Sequence, residues 1–150
     1  MQSEVLKEFS ILAVEDLASI RFLIKRLLAS EGCRKVYAVE DIDTAQRYLD
    51  EVPVDCILLD YELETANGLD LVRALRAEAT HPKRDVPILL LTSHASPEIV
   101  QAAVHAGCDG YLVKPVHPRR LANRICTVIA DRTGARRETW EHRSSEVRWF

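Results

Sequence analysis

The sequence predicts an α/β fold in which five parallel strands form a central sheet and five helices cover it. Short apolar runs alternate along the chain with segments whose apolar residues recur every three or four positions. The runs are nearly continuous in Val, Ile and Leu, as expected for parallel strands covered on both faces. Because β–α–β crossovers are right-handed and bury both sheet faces, five such units in 150 residues predict a doubly wound structure.

The apolar runs place the strands, and the helices lie between them. The predicted strands are Ile11–Val14, Val36–Val39, Val54–Leu59, Ile88–Leu91 and Tyr111–Val113. The first helix has the clearest stripe, formed by Ile20, Leu23, Ile24, Leu27 and Leu28 over about 14 residues. Ser96 followed by Pro97 predicts the start of the fourth helix, and Gly32 and Gly107 predict the ends of the first and fourth helices.

Composition excludes several classes of protein. The composition, with 47% hydrophobic and 29% charged residues, is typical of a compact fold rather than of a disordered segment or a coiled coil. No apolar run approaches the roughly 20 residues of a membrane helix, and no signal peptide is evident, so we expect a cytoplasmic protein without membrane insertion. The net charge of -3 gives no reason to expect direct nucleic-acid binding. The four cysteines lack metal-site spacing and indicate reduced, mostly buried thiols.

The predicted fold does not use the whole chain. We expect an N-terminal extension over 1–9, one domain over 10–132 and a C-terminal tail over 133–150. The tail is polar except for Trp140, Val147, Trp149 and Phe150. Exposed aromatic residues at a terminus indicate packing on the domain or contact with another molecule, and we expect packing or self-association.

Residues with chemically active side chains stand directly after the strands, where open parallel sheets bind their ligands. They are Glu15 and Asp16 after the first strand, Asp60 after the third, Thr92 and Ser93 after the fourth, and Lys114 and Pro115 after the fifth. Any one of these acids alone is consistent with a solvated turn residue or a helix cap. Together they predict one site at one edge of the sheet.

Three carboxylates held together repel one another unless a cation lies among them. All-oxygen ligands suit a hard divalent ion, so the cluster predicts Mg²⁺ or Mn²⁺. A metal ion with Lys114 and Thr92 is a site for a phosphoryl group, because phosphoryl transfer depends on positioning and charge neutralisation. No Gly-rich phosphate loop is present to hold a nucleotide, which indicates that a side chain of the site accepts the group. Asp60, on the central strand, is the best-placed acceptor.

These residues resemble the receiver domain of two-component response regulators, of the single-domain, chemotaxis-regulator-like type. Asp60 follows Asp16 by 44 residues, Thr92 follows Asp60 by 32, and Lys114 follows Thr92 by 22. Asn67-Gly68 matches the family's turn into the third helix. The resemblance extends roughly from Ser10 to Arg132 and implies the flavodoxin-like strand order 2-1-3-4-5, for which the family is itself a standard example.

The resemblance implies a role for each metal-binding residue. Asp60 is implied to be the phosphoacceptor and a metal ligand, and Asp16 a direct ligand. Glu15 would act on the metal through water, and Glu62 would supply its backbone carbonyl.

The resemblance also implies roles on the phosphoryl side. Thr92 would hydrogen-bond a phosphoryl oxygen and Lys114 would pair with it, and the Lys114–Pro115 bond would be cis. Thr92 and Tyr111 occupy the family's switch positions, although Tyr111 is also consistent with plain core packing.

The chain departs from the family pattern in its acidic residues. Glu15 replaces the commoner Asp, and Glu64 stands where many members have Pro. Glu62 and His94 occupy variable positions that in this family influence how long the phosphoryl group lasts, and we expect them to pair across the mouth of the site. An exposed loop histidine without a role is the alternative for His94.

The resulting hypothesis is a response regulator that accepts a phosphoryl group on Asp60 from a histidine kinase or phosphotransfer protein, and that is not a conventional enzyme. It would signal through the face made by the fourth helix, fifth strand and fifth helix. A downstream protein or a second copy would bind there, with Arg119, Arg120 and Arg124 as a partner surface or simply a solvated face. The alternatives are a degenerate receiver used for docking and a small Asp-nucleophile phosphatase. The D-x-D motif of such phosphatases is absent from this sequence.

Overall fold

The computed structural model describes residues 5–64 and 66–133 and contains the predicted alternation of strands and helices. The elements are β1 (Ser10–Val14), α1 (Ala18–Ser30), β2 (Lys35–Val39), α2 (Ile42–Glu51), β3 (Cys56–Asp60), α3 (Leu69–Ala77), β4 (Ile88–Thr92), α4 (Pro97–Ala106), β5 (Gly110–Val113) and α5 (Pro118–Thr133). All strand pairs are parallel, and the order is β2-β1-β3-β4-β5. The predicted fold class and strand order are confirmed.

The sheet separates two hydrophobic cores. Successive strand side chains point to opposite faces, so Leu12 contributes to the core beneath α2, α3 and α4, while Ile11 contributes to the core beneath α1 and α5. Ile57 and Leu58 of β3 divide in the same way. Every residue of β1, β3 and β4 is buried, which is why these strands are almost continuously apolar in the sequence.

The local helix signals are confirmed. Ser96 caps α4 by accepting a hydrogen bond from the Ile99 amide, and Pro97 is the first helical residue. Gly107 follows the helix with φ 108°, a left-handed conformation that glycine adopts without a steric penalty. Among the described residues, the four cysteines are free thiols. In the same part of the chain, no helix is long and apolar enough to cross a membrane.

Burial differs from the sequence prediction at two places. Leu23 belongs to the predicted apolar stripe of α1 but is 48% exposed, whereas Ile24 and Leu28 are buried. Leu6, within the segment predicted to be an extension, is fully buried, and its amide donates to the Glu31 carbonyl. Residues from 5 onward therefore pack on the domain, and its limits at 10 and 132 stay predictions. The expected packing of the tail lies outside the described residues.

Candidate functional site

The carboxyl end of the sheet brings five of the predicted residues into one site. Two of them end a strand: Asp60 is the last residue of β3, and Thr92 is the last residue of β4. Both are buried, Asp60 with 4% exposure and Thr92 with none. Glu15 and Lys114 directly follow β1 and β5, and Asp16 is half-buried beside Glu15.

The acidic side of the site contains Glu15, Asp16 and Asp60. One carboxylate oxygen from each lies within 4.8 Å of the other two. Burial raises the pKa of Glu15 to about 7, and the neighbouring Asp60 carboxylate adds to the shift. This cluster therefore has the donor set of a divalent-cation site, with oxygen ligands that suit a hard ion and a surplus of negative charge that a cation would relieve.

Lys114 provides a positive charge next to Asp60 and Glu15. Its Nζ lies 2.8 Å from Asp60 Oδ1 and 3.6 Å from Glu15 Oε1. Burial alone would lower the pKa of Lys114, but the hydrogen bond and negative charge of Asp60 outweigh that effect and raise the pKa. The Lys114–Pro115 peptide bond is cis.

Hydrogen bonds from Arg21 and from the Leu17 amide, which the sequence reasoning missed, hold the acidic residues in position. Arg21 Nη1 donates to the carbonyls of Glu15 at 2.8 Å and of Asp16 at 2.9 Å. The Leu17 amide donates to Glu15 Oε2. The position of an arginine in the first turn of a helix does not by itself indicate contacts with the preceding carbonyls, so these contacts could not be predicted from the sequence.

Glu64 contributes its backbone amide to the acidic cluster. The Glu64 amide donates to Asp16 Oδ2 at 2.7 Å, and this hydrogen bond lowers the pKa of Asp16. Proline has no N–H and would not form it. The loop after β3 thus holds the carboxylate of Asp16, whereas Arg21 holds its backbone carbonyl.

Glu62 occupies the other half of the same loop. Its Oε2 accepts from the Thr92 hydroxyl at 3.0 Å, and both its carboxylate oxygens lie 3.1 Å from the Ser93 amide. The expected pair between Glu62 and His94 stays a prediction, since the hydrogen bonds of Glu62 in this structure are with Thr92 and Ser93. The backbone of His94, rather than its ring, contacts the Thr92 hydroxyl, because the Glu62 carboxylate reaches donors closer to the sheet.

Tyr111 is 2% exposed and belongs to the core beneath α4. It pairs in register with Leu90, two residues before Thr92. This burial is consistent with plain core packing, and the switch role of Tyr111 stays a prediction.

Gly68 brings the start of α3 against the backbone of the proposed acceptor. A Cβ at this position would lie 2.6 Å from the Asp60 carbonyl oxygen, although the backbone conformation is ordinary, with φ -55°. We expect Gly68→Ala to lower the free energy of unfolding by about 1–3 kcal/mol, because a backbone atom must move. Urea unfolding measures this, with exposed Ala66→Gly in the same loop as the control. Equal stability of the Gly68→Ala and natural chains would contradict the prediction.

The sequence profile of the response regulator receiver domain matches residues 11–126. The chain belongs to this family. Receiver domains of this family take part in two-component signalling through an aspartyl phosphate, as phosphoacceptors rather than as enzymes of the usual kind. The family assignment argues against the phosphatase alternative.

Relatives of this receiver include proteins of different lengths. It is 38% identical over 119 residues to the phosphate regulon transcriptional regulatory protein PhoB of Klebsiella pneumoniae, covering 79% of this chain and 51% of that protein. It is 32% identical over 115 residues to the chemotaxis protein CheY of Pseudomonas aeruginosa, covering 77% and 91%. The solved structure of the Vibrio cholerae chemotaxis protein CheY4 matches with a TM-score of 0.73 and 31% identity, covering 80% and 98%. The receiver thus spans about half the length of the PhoB relatives.

Proposed function

We propose that Asp60 accepts a phosphoryl group from a histidine kinase or a histidine phosphotransfer protein. The observation that carries the proposal is the position of Asp60, with Lys114 Nζ at 2.8 Å and with the carboxylates of Glu15 and Asp16 within 4.8 Å. In the reaction a carboxylate oxygen of Asp60 forms a bond to phosphorus as the bond from phosphorus to the donor histidine nitrogen breaks. Lys114 would neutralise charge on the transferred group.

Mg²⁺ or Mn²⁺ fits the acidic half of the site. Asp16 and Asp60 would bind the ion directly, Glu15 through water, and Glu62 through its backbone carbonyl. When bound, the ion would neutralise negative charge on the phosphoryl group and the cluster. The crowding of three carboxylates within 4.8 Å, with Lys114 as their cationic neighbour, supports this assignment.

The output surface that we propose is the face of α4, β5 and α5. Thr92 ends β4, and only Ser93 to Ser96 separate it from the first residue of α4. A change in what the Thr92 hydroxyl binds would therefore reach α4 through four residues. We propose that a downstream protein or a second copy reads that change and that Tyr111 responds by repacking. We further propose that the protein works in the cytoplasm.

The decisive experiment is phosphorylation with a small phosphodonor. The protein with acetyl phosphate and Mg²⁺ should gain the mass of one phosphoryl group, and peptide mapping should place it on Asp60. Asp60→Asn and EDTA should each prevent the gain. An unmodified natural protein, together with kinase binding that does not require Asp60, would favour the degenerate docking receiver. A modified histidine would also refute the proposal.

A further inference from the structure

The Glu62 carboxylate is surrounded by the donors that a phosphoryl group on Asp60 would need. Besides the Thr92 hydroxyl at 3.0 Å and the Ser93 amide at 3.1 Å, Lys114 Nζ lies 4.0 Å from Glu62 Oε1. A hydroxyl, a backbone amide and an ammonium converging on one anion form an oxyanion-binding arrangement. In the unphosphorylated structure, the anion that these donors hold is the Glu62 carboxylate, a side chain of the protein itself.

The same donors cannot serve two anions. The Thr92 hydroxyl has one hydrogen, and it faces either the Glu62 carboxylate or the His94 carbonyl, 2.9 Å away. A phosphoryl group carries up to two negative charges, so it would also repel a carboxylate held this close to Lys114. Phosphorylation of Asp60 therefore requires that Glu62 leave.

The structure allows that departure. The Glu62 side chain is 36% exposed, whereas the side chains of Asp60 and Glu15 are 4% and 2% exposed. A carboxylate at the mouth of the site regains hydration when it turns outward, so its release carries little desolvation penalty.

We propose that Glu62 is an internal stand-in for the phosphoryl group. In the unphosphorylated protein it holds Thr92 and Ser93 to the loop after β3, and phosphorylation transfers these two donors to the group on Asp60. The inference rests on the proposed function, since it uses Asp60 as the acceptor. It makes Glu62 a positioning residue that opposes phosphorylation. The contacts of Glu62 with Thr92 and Ser93 would hold the start of the β4–α4 loop in its unphosphorylated conformation.

The test measures binding of beryllofluoride, a small anionic mimic of the phosphoryl group, in the presence of Mg²⁺. Glu62→Ala and Glu62→Gln remove the charge of the stand-in, and Glu62→Ala also removes its oxygen atoms. Glu40→Gln is the matched control, because it removes an exposed carboxylate that directly follows β2 at the same edge of the sheet. We expect about tenfold tighter beryllofluoride binding in Glu62→Ala, an intermediate gain in Glu62→Gln, and a change below about twofold in Glu40→Gln.

The Ser93 amide signal in NMR spectra separates displacement from a general charge effect. In the unliganded protein it should shift in Glu62→Ala but not in Glu40→Gln, and with saturating beryllofluoride it should converge in all four proteins. Equal affinity gains in Glu62→Ala and Glu40→Gln, or weaker binding in Glu62→Ala, would overturn the stand-in role while leaving Asp60 as the acceptor. Absence of binding in the natural protein, with no phosphoryl group on Asp60, would overturn the proposed function and this inference together.

Discussion

Asp109→Ala is expected to lower the free energy of unfolding by about 3–5 kcal/mol, because it removes one partner from a buried ion cluster. The Asp109 side chain is 1% exposed, and its Oδ2 accepts from the Ile88 amide at 2.8 Å and lies 3.1 Å from Arg76 Nη2. Its Oδ1 accepts from Arg132 Nε. One carboxylate thus connects α3, the first residue of β4 and the end of α5.

The cost arises from what remains after the carboxylate is lost. The side chains of Arg76 and Arg132 are only 13% and 16% exposed, so both guanidinium groups would stay largely desolvated without their shared counter-ion. Burial already lowers the pKa of Arg76 to about 10 while Asp109 is present. Burial also disfavours the charged form of Asp109 and so raises its pKa, whereas the positive charges of Arg132 and Arg76 oppose that increase. Asp109→Ala would remove the attraction between the carboxylate and the two arginines, and it would leave the desolvation penalty of their guanidinium groups.

Urea unfolding of the full chain measures the loss. Asp70→Ala is the matched control, because Asp70 also pairs with an arginine, Arg73 at 3.0 Å, but those two side chains are 65% and 50% exposed. An exposed pair is worth at most about 1 kcal/mol, so the control should stay close to the natural protein. Similar small losses in both variants would show that the buried cluster contributes no more than a surface ion pair.

The fold was predictable because its main signal is local. A strand such as β4 is buried on both faces, so its sequence is uniformly apolar whichever helices cover it. The site was predictable for a related reason. In a parallel sheet the residues at the strand ends share one edge, and Asp60 and Thr92 hold those places regardless of loop details.

Contacts between distant segments were not predictable in this way. Asp109 precedes a glycine and has the sequence of an exposed turn, and its burial depends on arginines 33 and 23 residues away. Glu62 binds Thr92 across 30 residues. Helical periodicity has a similar limit: it places Leu23 beside Ile24, but the edges of the buried stripe depend on how α1 is tilted against the sheet.

Lys114→Met is expected to slow phosphorylation by a small phosphodonor about 10²–10³-fold, the effect of removing one preorganised donor from a developing oxyanion. The ammonium is the cation 2.8 Å from Asp60 Oδ1, and it also lies 3.6 Å from Glu15 Oε1. Met fills a similar volume without charge, so the change isolates electrostatics from packing. Without the ammonium, three clustered carboxylates would face the incoming phosphodonor, which is itself an anion.

Two variants and one equilibrium measurement make this prediction specific. Lys114→Arg retains the charge but replaces a compact ammonium by a planar group, so its rate should lie between those of the natural protein and Lys114→Met. Lys25→Met removes an exposed lysine of α1 and should leave the rate within about twofold. Mg²⁺ should also raise the unfolding free energy more in Lys114→Met than in the natural protein, because a bound cation would replace the missing charge and ligand binding stabilises the folded state. A Lys114→Met rate within about tenfold of the natural protein would assign charge neutralisation at Asp60 mainly to the metal rather than to the lysine.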